Sequence, residues 1–488
     1  MATHFINATF SSAAAATPAF VLPDFDTVFF APSALGFATG AGSAAVSGGL
    51  ASKVVLAGQL YSNSAAAISF DDIGCNVVVA ASGMAMGAIG IEFFGGSNRL
   101  TNAGVVYGDV AGVSRLVLRD SGVGDTIVNH GTLGGGFGAI FYSNIEFRQD
   151  TVVNTGTLDG NVRLGAGDDR LDSSTGTLTG LVLGGPGNDT LIGSAYADTL
   201  YGEADDDTLQ GNAGDDLLVG GAGADVLNGG SGVDTASYMG NRPVRVNLGD
   251  TRLNTGDAAG DRYSSIEGLA GSAFDDLLTG NSGANVLNGR GGADRMAGLG
   301  GDDIYWVDDV GDVVRDISGG GHDTIYSSVT FNLASTWADT LVLRGVRALD
   351  ATGTALTETI RGNAGANQIA GRSGNDLLLG GAGADTFRFD APLSASGNVD
   401  RLDDFSTVDD RIALDRSIFT ALAAPGALPA SMFRIAGGAR DASDRIVYDP
   451  GTGRLSYDPD GTGSAAATLF ALLDTDLPLT ASDFLILA

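Results

Sequence analysis

The sequence predicts an all-β protein, a parallel β-solenoid in which an N-terminal β-helix leads into glycine-rich β-rolls and a small β-rich C-terminal region. Three observations predict it. Glycine supplies 76 of 488 residues against 11 prolines, without a three-residue collagen period, so another glycine-demanding repeat is implied. Short alternating β-branched segments recur every 20–27 residues in the first third of the chain. A nine-residue unit then repeats in strict register from Gly184 to Ser237. Helical periodicity is hard to find in the first third, and 44% apolar residues argue against disorder despite strong acidity.

The length suits two to four domains. The repeats suggest an entry segment at 1–25, β-helix-like coils at 26–180, roll blocks with linking segments at 181–390 and a β-rich region at 391–488. In the first coils an Asn or Ser, a gap, a Gly and alternating β-branched residues recur, as in NRLTNAGVVYGDV (Asn98 to Val110), DTIVNHGTLGGGF (Asp125 to Phe137) and DTVVNTGTLDGNVRL (Asp150 to Leu164). The glycines at 58, 83, 104, 131, 156 and 176 mark successive coils, each burying one face on its neighbours. The stretch from Ile73 to Ile91 is uncharged and of membrane length. Its paired apolar residues two apart (Val77 and Val79, Met84 and Met86) instead predict strand, turn, strand, and no transmembrane span is expected. Cys75 is the single cysteine, which excludes an internal disulfide or a Cys-based metal site and leaves it as a small buried hydrophobe.

The nonapeptide run reads GGPGNDTLI, GSAYADTLY, GEADDDTLQ, GNAGDDLLV, GGAGADVLN, GGSGVDTAS. Its sixth positions are Asp189, Asp198, Asp207, Asp216, Asp225 and Asp234; its eighth are leucines until Ala236. A forerunner, LGAGDDRLD, places Asp169. A second block from Gly271 to Trp306 carries Asp276, Asn285, Asp294 and Asp303, and a third from Gly353 to Arg388 carries Glu358, Asn367, Asp376 and Asp385. Between them GGGHDTIY adds Asp323. Glycines at positions one, two and four permit positive φ and a tight turn with inward carbonyls. The aspartate closes that turn with a carboxylate. Such flexible rings of hard oxygen donors suit Ca²⁺ better than the stricter octahedron of Mg²⁺. Positions seven to nine form a short strand with the eighth residue in the core. Nine residues are then half a coil, so Asp189, Asp207 and Asp225 should line one edge and Asp198, Asp216 and Asp234 the other. Without cations these rows repel, which makes metal binding and folding one event.

GGxGxD followed by a residue and an aliphatic resembles the calcium-binding nonapeptide of the RTX (repeats-in-toxin, haemolysin-type) family, from about Leu164 to Arg388. The resemblance implies several Ca²⁺ ions held at the position-six acids. Some copies depart from the pattern: Tyr196 and Asp205 stand where the fourth-position glycine belongs, Asn285 and Asn367 replace the carboxylate, and Glu358 lengthens it. Those turns are weaker expectations as ion sites. The segment Gly380 to Leu414 looks like the close of serralysin-type C-terminal domains, and the ending ASDFLILA resembles an uncleaved type I secretion signal. The first twenty residues lack the charged and apolar regions of a secretory signal. The resemblance therefore implies export through a type I ABC transporter, unfolded, followed by folding in extracellular calcium, where such modules bind with dissociation constants of about 10⁻⁴–10⁻³ M.

Net charge is −32, from 26 basic and 58 acidic residues, and Lys53 is the sole lysine. That excludes a nucleic-acid phosphate binder. HExxH, GxSxG and a P-loop are absent, and His4, His130 and His322 are not spaced for zinc, so neither the serralysin protease nor the RTX lipase chemistry is expected. One lysine and a Gly/Ala-rich N-terminal region likewise leave a pore-forming toxin unsupported. Asp458 to Gly463 begin like an EF-hand loop, but Leu469 stands where a bidentate Glu is needed, so a hairpin turn is expected instead. In the β-helix, Asp24, Asp26, Lys53, Asp71, Asp72, Glu92, Arg99, Asp125, His130, Glu146, Arg148 and Asp150 match no catalytic arrangement. The expectation is thus a non-enzymatic, elongated, secreted calcium-binding structural protein of the cell surface or matrix (layer, filament or adhesin). Its partners would be calcium, further copies of itself or surface polysaccharide. The alternative is a secreted carbohydrate-active enzyme of lyase or epimerase type built on the β-helix.

Overall fold

The computed structural model describes residues 2–12, 18–24, 26–38, 44–62, 65–70, 74–93, 97–115, 124–135, 138–142, 148–422, 424–435 and 438–488. Asp71, Asp72 and Glu146 lie outside these, as does Ile73. The described residues contain strands and four short 3₁₀ turns but no α-helix, and no helix is long and apolar enough to cross a membrane. The fold is a parallel β-solenoid divided into two compact units, Met1–Ala270 and Gly271–Ala488.

In the first unit one parallel ladder of twelve strands runs from Thr3–Ile6 to Arg262–Ser264. Its register is set by pairs such as Val77↔Leu100, Ile127↔Val152, Leu171↔Leu191 and Leu191↔Leu209. These partners are all fully or almost fully buried and stack into one aliphatic column. Strands such as Thr126–Asn129 alternate half-buried and buried residues, the period-two pattern of a strand with one face on a core. Early coils carry three strands, for example Lys53–Leu56, Gln59–Ser62 and Ala66–Phe70. The second of these faces ends at Thr177–Leu178, while the third continues through Val182–Pro186 into Thr199–Ala204 and Leu217–Ala222. The coil thus tapers from three strands to two where the nonapeptides begin, and the first ladder crosses that point without a break. The pairing of Met84–Phe93 with both Gln59–Ser62 and Ala66–Phe70 marks a strand that turns a corner of the coil. With Asn76–Val79 preceding it, this is the strand, turn, strand expected there. Cys75 is buried.

The Asn–gap–Gly motif of the early coils has a structural cause. Asn102, Asn129 and Asn154 are buried and stacked, with Asn102 Nδ2 donating to Asn129 Oδ1 at 2.8 Å, Asn129 to Asn154 at 2.7 Å and Asn154 to Ser173 Oγ at 2.8 Å. Each asparagine Oδ1 accepts the N–H of the glycine two residues on. A Cβ on Gly131 or Gly156 would strike the carbonyl of the glycine one coil below.

The second unit is a two-faced roll. One face runs from Val286–Asn288 through Ile304–Val307, Thr324–Ser327, Thr340–Leu343, Thr359–Arg361 and Leu377–Leu379 to Asp400–Leu402. The other runs from Phe331–Asn332 to Arg411–Asp415 and Phe484–Leu487. The roll closes under an antiparallel layer, Ile446–Asp449, Arg454–Tyr457 and Thr468–Leu472. Phe389, Phe419, Tyr457 and Phe470 pack there edge to face, with centroids 5.0–5.2 Å apart. The hairpin at Arg445 to Gly461 forms as expected, and Asp458 Oδ1 accepts Gly461 N–H in a turn. The C-terminal residues resembling a secretion signal form a strand in this unit, with Phe484 and Ile486 buried.

Candidate metal centre

The coil edges are held by one repeated contact. Each coil places an acid or amide directly before a strand, and its side-chain oxygen accepts the backbone N–H of the equivalent residue one coil earlier. Along one edge of the first unit the acceptors are Asn98, Asp125, Asp150, Asp169, Asp189, Asp207, Asp225 and Asp261. Their separations are 27 and 25 residues early on, then 19 and 20, then 18, and 36 from Asp225 to Asp261. On the opposite edge Asp216 accepts from Asp198, Asp234 from Asp216 and Glu267 from Asp234. Alternate nonapeptide aspartates therefore lie on alternate edges. In the second unit Asp276, Asp294 and Asp312 form one such stack, and Asn285, Asp303, Asp323 and Asp339 another. Glu358, Asp376 and Asp400 form a third, and Asn367, Asp385 and Asp410 a fourth.

The second carboxylate oxygen separates two kinds of turn. In Asp189, Asp207, Asp216, Asp225, Asp234, Asp294, Asp303, Asp376 and Asp385 the Oδ2 is buried without a hydrogen-bond partner, and each residue is at most 2% exposed. This oxygen lies where the glycine at position one would carry its Cβ, as at Gly202, Gly211, Gly220 and Gly289. At Gly202 and Gly211 the same space meets the carbonyl oxygen of Gly220 and Gly229, one coil on. The position-one glycine is thus required for space. Positive φ, expected at positions one, two and four, occurs at positions two and four only: Gly185 and Gly187, Gly230 and Gly232. Asp205 keeps that conformation at φ 76° in place of a glycine.

In the other kind of turn the acid or amide is satisfied by the protein. Ser194 donates its N–H and hydroxyl to Asp198, and Ser272 does the same to Asp276; Thr354 donates both to Oε1 of Glu358, whose Oε2 stays buried without a partner. Asn281 and Asn363 donate N–H to the amide oxygens of Asn285 and Asn367. Within their units these turns open the stacks. At the closing ends Asp261 takes the hydroxyl of Tyr238, Asp312 the N–H groups of Asp308 and Asp309, and Asp410 that of Ser406. In the stacks Asp276–Asp294–Asp312 and Asn367–Asp385–Asp410 the carboxylate with a spare oxygen lies between self-satisfied ends.

Burial pushes the spare-oxygen carboxyls up, and neighbouring carboxylates add to the shift: Asp189 to about 9, Asp207 to about 8, and Asp216, Asp225, Asp294 and Asp303 to about 7. Backbone N–H donors oppose the rise without cancelling it. A buried anion with an unpartnered lone pair calls for a cation, and a donor set made only of carboxylates and carbonyls fits Ca²⁺. Asp169 and Asp323 sit in the same stacks, and Asp198 and Asp276 occupy the self-satisfied ends.

Sequence reading passed over Asp125, Asp150, Asp261, Glu267, Asp312, Asp316, Asp339, Asp400 and Asp410. Most share a legible signal: an acid, one residue, then a buried residue, as in Asp125-Thr126-Ile127, Asp150-Thr151-Val152 and Asp410-Arg411-Ile412. That triplet is the end of a nonapeptide without its glycines.

Stacked glycine turns with buried spare carboxylate oxygens define a cation-binding β-roll. The RTX calcium-binding nonapeptide repeat matches four stretches of the chain, residues 183–216, 201–236, 270–305 and 352–387. The chain thus carries RTX calcium-binding repeats, and by them it is a calcium-binding protein. Among solved structures it is similar to the extracellular lipase LipA from Serratia marcescens, at 15% identity and a TM-score of 0.15, covering 62% of this chain and 40% of the lipase chain. No curated protein matches it.

Proposed function

We propose that this is a secreted calcium-binding structural protein of the cell surface or extracellular matrix, which folds and then self-associates when it meets extracellular calcium. The carrying observation is the row of buried, unpartnered Oδ2 atoms along the coil edges. In a calcium-poor cytosol these carboxylates repel and lose hydration; outside, ions complete the stacks, and binding free energy becomes folding free energy. Export through a type I transporter agrees with this order of events, since a secretion signal at the C-terminus is read before Phe484–Leu487 folds into its sheet.

A structural role is favoured by how the early coils use their acids. Asp125 and Asp150 spend an oxygen on the backbone of the preceding coil, and His130 bonds Thr155. None of these converges on a groove as a lyase would need. Self-association is favoured by the edge strand Thr3–Ile6, which among the described residues pairs on one side only, with Phe5 77% exposed. Such an edge can accept a further strand.

Circular dichroism of the full chain, with chelator and with millimolar calcium, tests the folding switch: a gain of β-structure is expected on adding calcium. Electron microscopy and light scattering of the calcium form test association, with polymers or sheets expected, and Phe5→Asp expected to shorten them. A calcium form that stays monomeric at all concentrations removes the assembly part of the reading.

A further inference from the structure

We propose that Asp316, which lies outside every nonapeptide, joins Asp303 and Asp323 in a three-carboxylate calcium centre of the second unit. The inference rests on the calcium-binding reading of the repeats and adds a ligand that the repeat pattern does not contain.

One carboxylate oxygen from each of the three residues lies within 4.8 Å of the others. That spread suits ligands around a Ca²⁺ ion, which holds oxygens at about 2.3–2.6 Å. Asp303 and Asp323 are each 1% exposed, and the Oδ2 of Asp303 has no hydrogen-bond partner. Asp323 Oδ1 accepts the N–H of Asp303 at 2.9 Å, so these two are held by the edge ladder.

Asp316 is brought in separately. Its Oδ1 accepts Leu299 N–H at 3.0 Å and Ile317 N–H at 2.8 Å, and its Oδ2 accepts the Tyr305 hydroxyl. Tyr305 stands at the eighth position of its nonapeptide, where the six-copy run has leucine or alanine. It is fully buried, and its hydroxyl also accepts Gly298 N–H at 2.8 Å. Tyr305 is therefore a positioning residue that spans the core to orient Asp316. A hydrogen-bonded carboxylate oxygen keeps a second lone pair, so these contacts leave Asp316 able to bind an ion. Three carboxylates held around one point repel strongly until a cation neutralises them.

The test is terbium luminescence on the full-length protein, since Tb³⁺ takes oxygen-lined calcium sites and emits when a nearby indole is excited. Trp306 lies on the strand Ile304–Val307, directly after Asp303, and the chain has only two tryptophans. Asp316→Asn should weaken the tryptophan-excited Tb³⁺ titration by about ten-fold or more, as expected for a site losing one of three charged ligands. Trp306→Phe should abolish that emission, and Asp225→Asn, in the first unit, should leave it intact while lowering the total ion count. An Asp316→Asn titration that superimposes on the parent's overturns the proposal. If Asp225→Asn and Asp303→Asn also leave the ion count unchanged, the reading of the nonapeptides falls as well. Should Asp316→Asn fail to reach the calcium-bound spectrum, Tyr305→Phe decides. It keeps all three carboxylates but frees Asp316, so a weakened titration supports the centre and an unchanged one overturns it.

Discussion

Gly220 sits where the side chain of Asp225 leaves no room for a Cβ. Its φ is unremarkable, so Gly220→Ala tests space and not backbone strain. The added methyl would overlap Oδ2 of Asp225. The expected outcome is about 1–3 kcal/mol of lost stability in calcium, from overpacking, together with a higher calcium midpoint in a circular dichroism titration. A midpoint equal to the parent's would mean that Oδ2 does not face the ion. Ser272 makes the opposite case, because its hydroxyl and N–H already satisfy Asp276. Ser272→Ala should cost about 1 kcal/mol, read by urea denaturation of the calcium-loaded protein, with the number of bound ions unchanged. A fall in the number of bound ions would place an ion at that turn. The residues that break the consensus at Ser194 and Ser272 thus satisfy with a hydroxyl and an N–H the acid that elsewhere keeps a spare oxygen, which the nonapeptide pattern alone cannot distinguish from decay of the repeat.

At the scale of elements, two side-chain ladders run along the first unit. The acidic ladder extends from Asn98 to Asp261 and passes from coils without the nonapeptide into coils with it. Its structural task, accepting a backbone N–H from the coil below, therefore precedes any ion. The asparagine ladder needs no ion at all. Asn129→Ala should strip partners from Asn102 and Asn154 inside a buried column and cost about 2–3 kcal/mol. The loss should appear in the same measure with and without calcium, monitored by hydrogen exchange of Thr126–Asn129. A loss seen only without calcium would tie those coils to the ion switch. The strands themselves were legible from alternation and glycine spacing. The taper from three strands to two was legible only as a shortening period, because which face ends depends on the pairing of Thr157–Asp159 with Thr177–Leu178.

Across the whole molecule, 58 acidic residues give a net charge of −32, and burial raises part of that set. The carboxyls of Asp189, Asp207, Asp216 and Asp225 titrate at about 7 to 9 in the metal-free fold, against about 3.9 for an unfolded aspartate. Because the folded values are the higher ones, protonation stabilises the metal-free fold. That contribution is complete below about pH 4 and is lost as pH rises through 7 to 9. Chelator-treated protein should therefore gain β-structure on acidification from about pH 9 to about pH 5. The calcium midpoint should rise below about pH 7 as protons compete for the same oxygens. Circular dichroism across that range checks both; a metal-free spectrum indifferent to pH would show that the carboxylates are not buried as described.

By itself the sequence determined the fold class, the eighteen-residue coil and the alternation of aspartates between edges. Each of these follows from a strict period, and a parallel solenoid turns period directly into position. Tertiary structure alone decided which carboxylates keep a spare oxygen. That depends on whether a serine, threonine or tyrosine from elsewhere on the coil reaches the acid, as Tyr238 reaches Asp261 and Tyr305 reaches Asp316. A repeat unit specifies its own turn, and at Ser194 and Ser272 also the partner of its acid, but tyrosines that satisfy a carboxylate arrive from segments that follow no period.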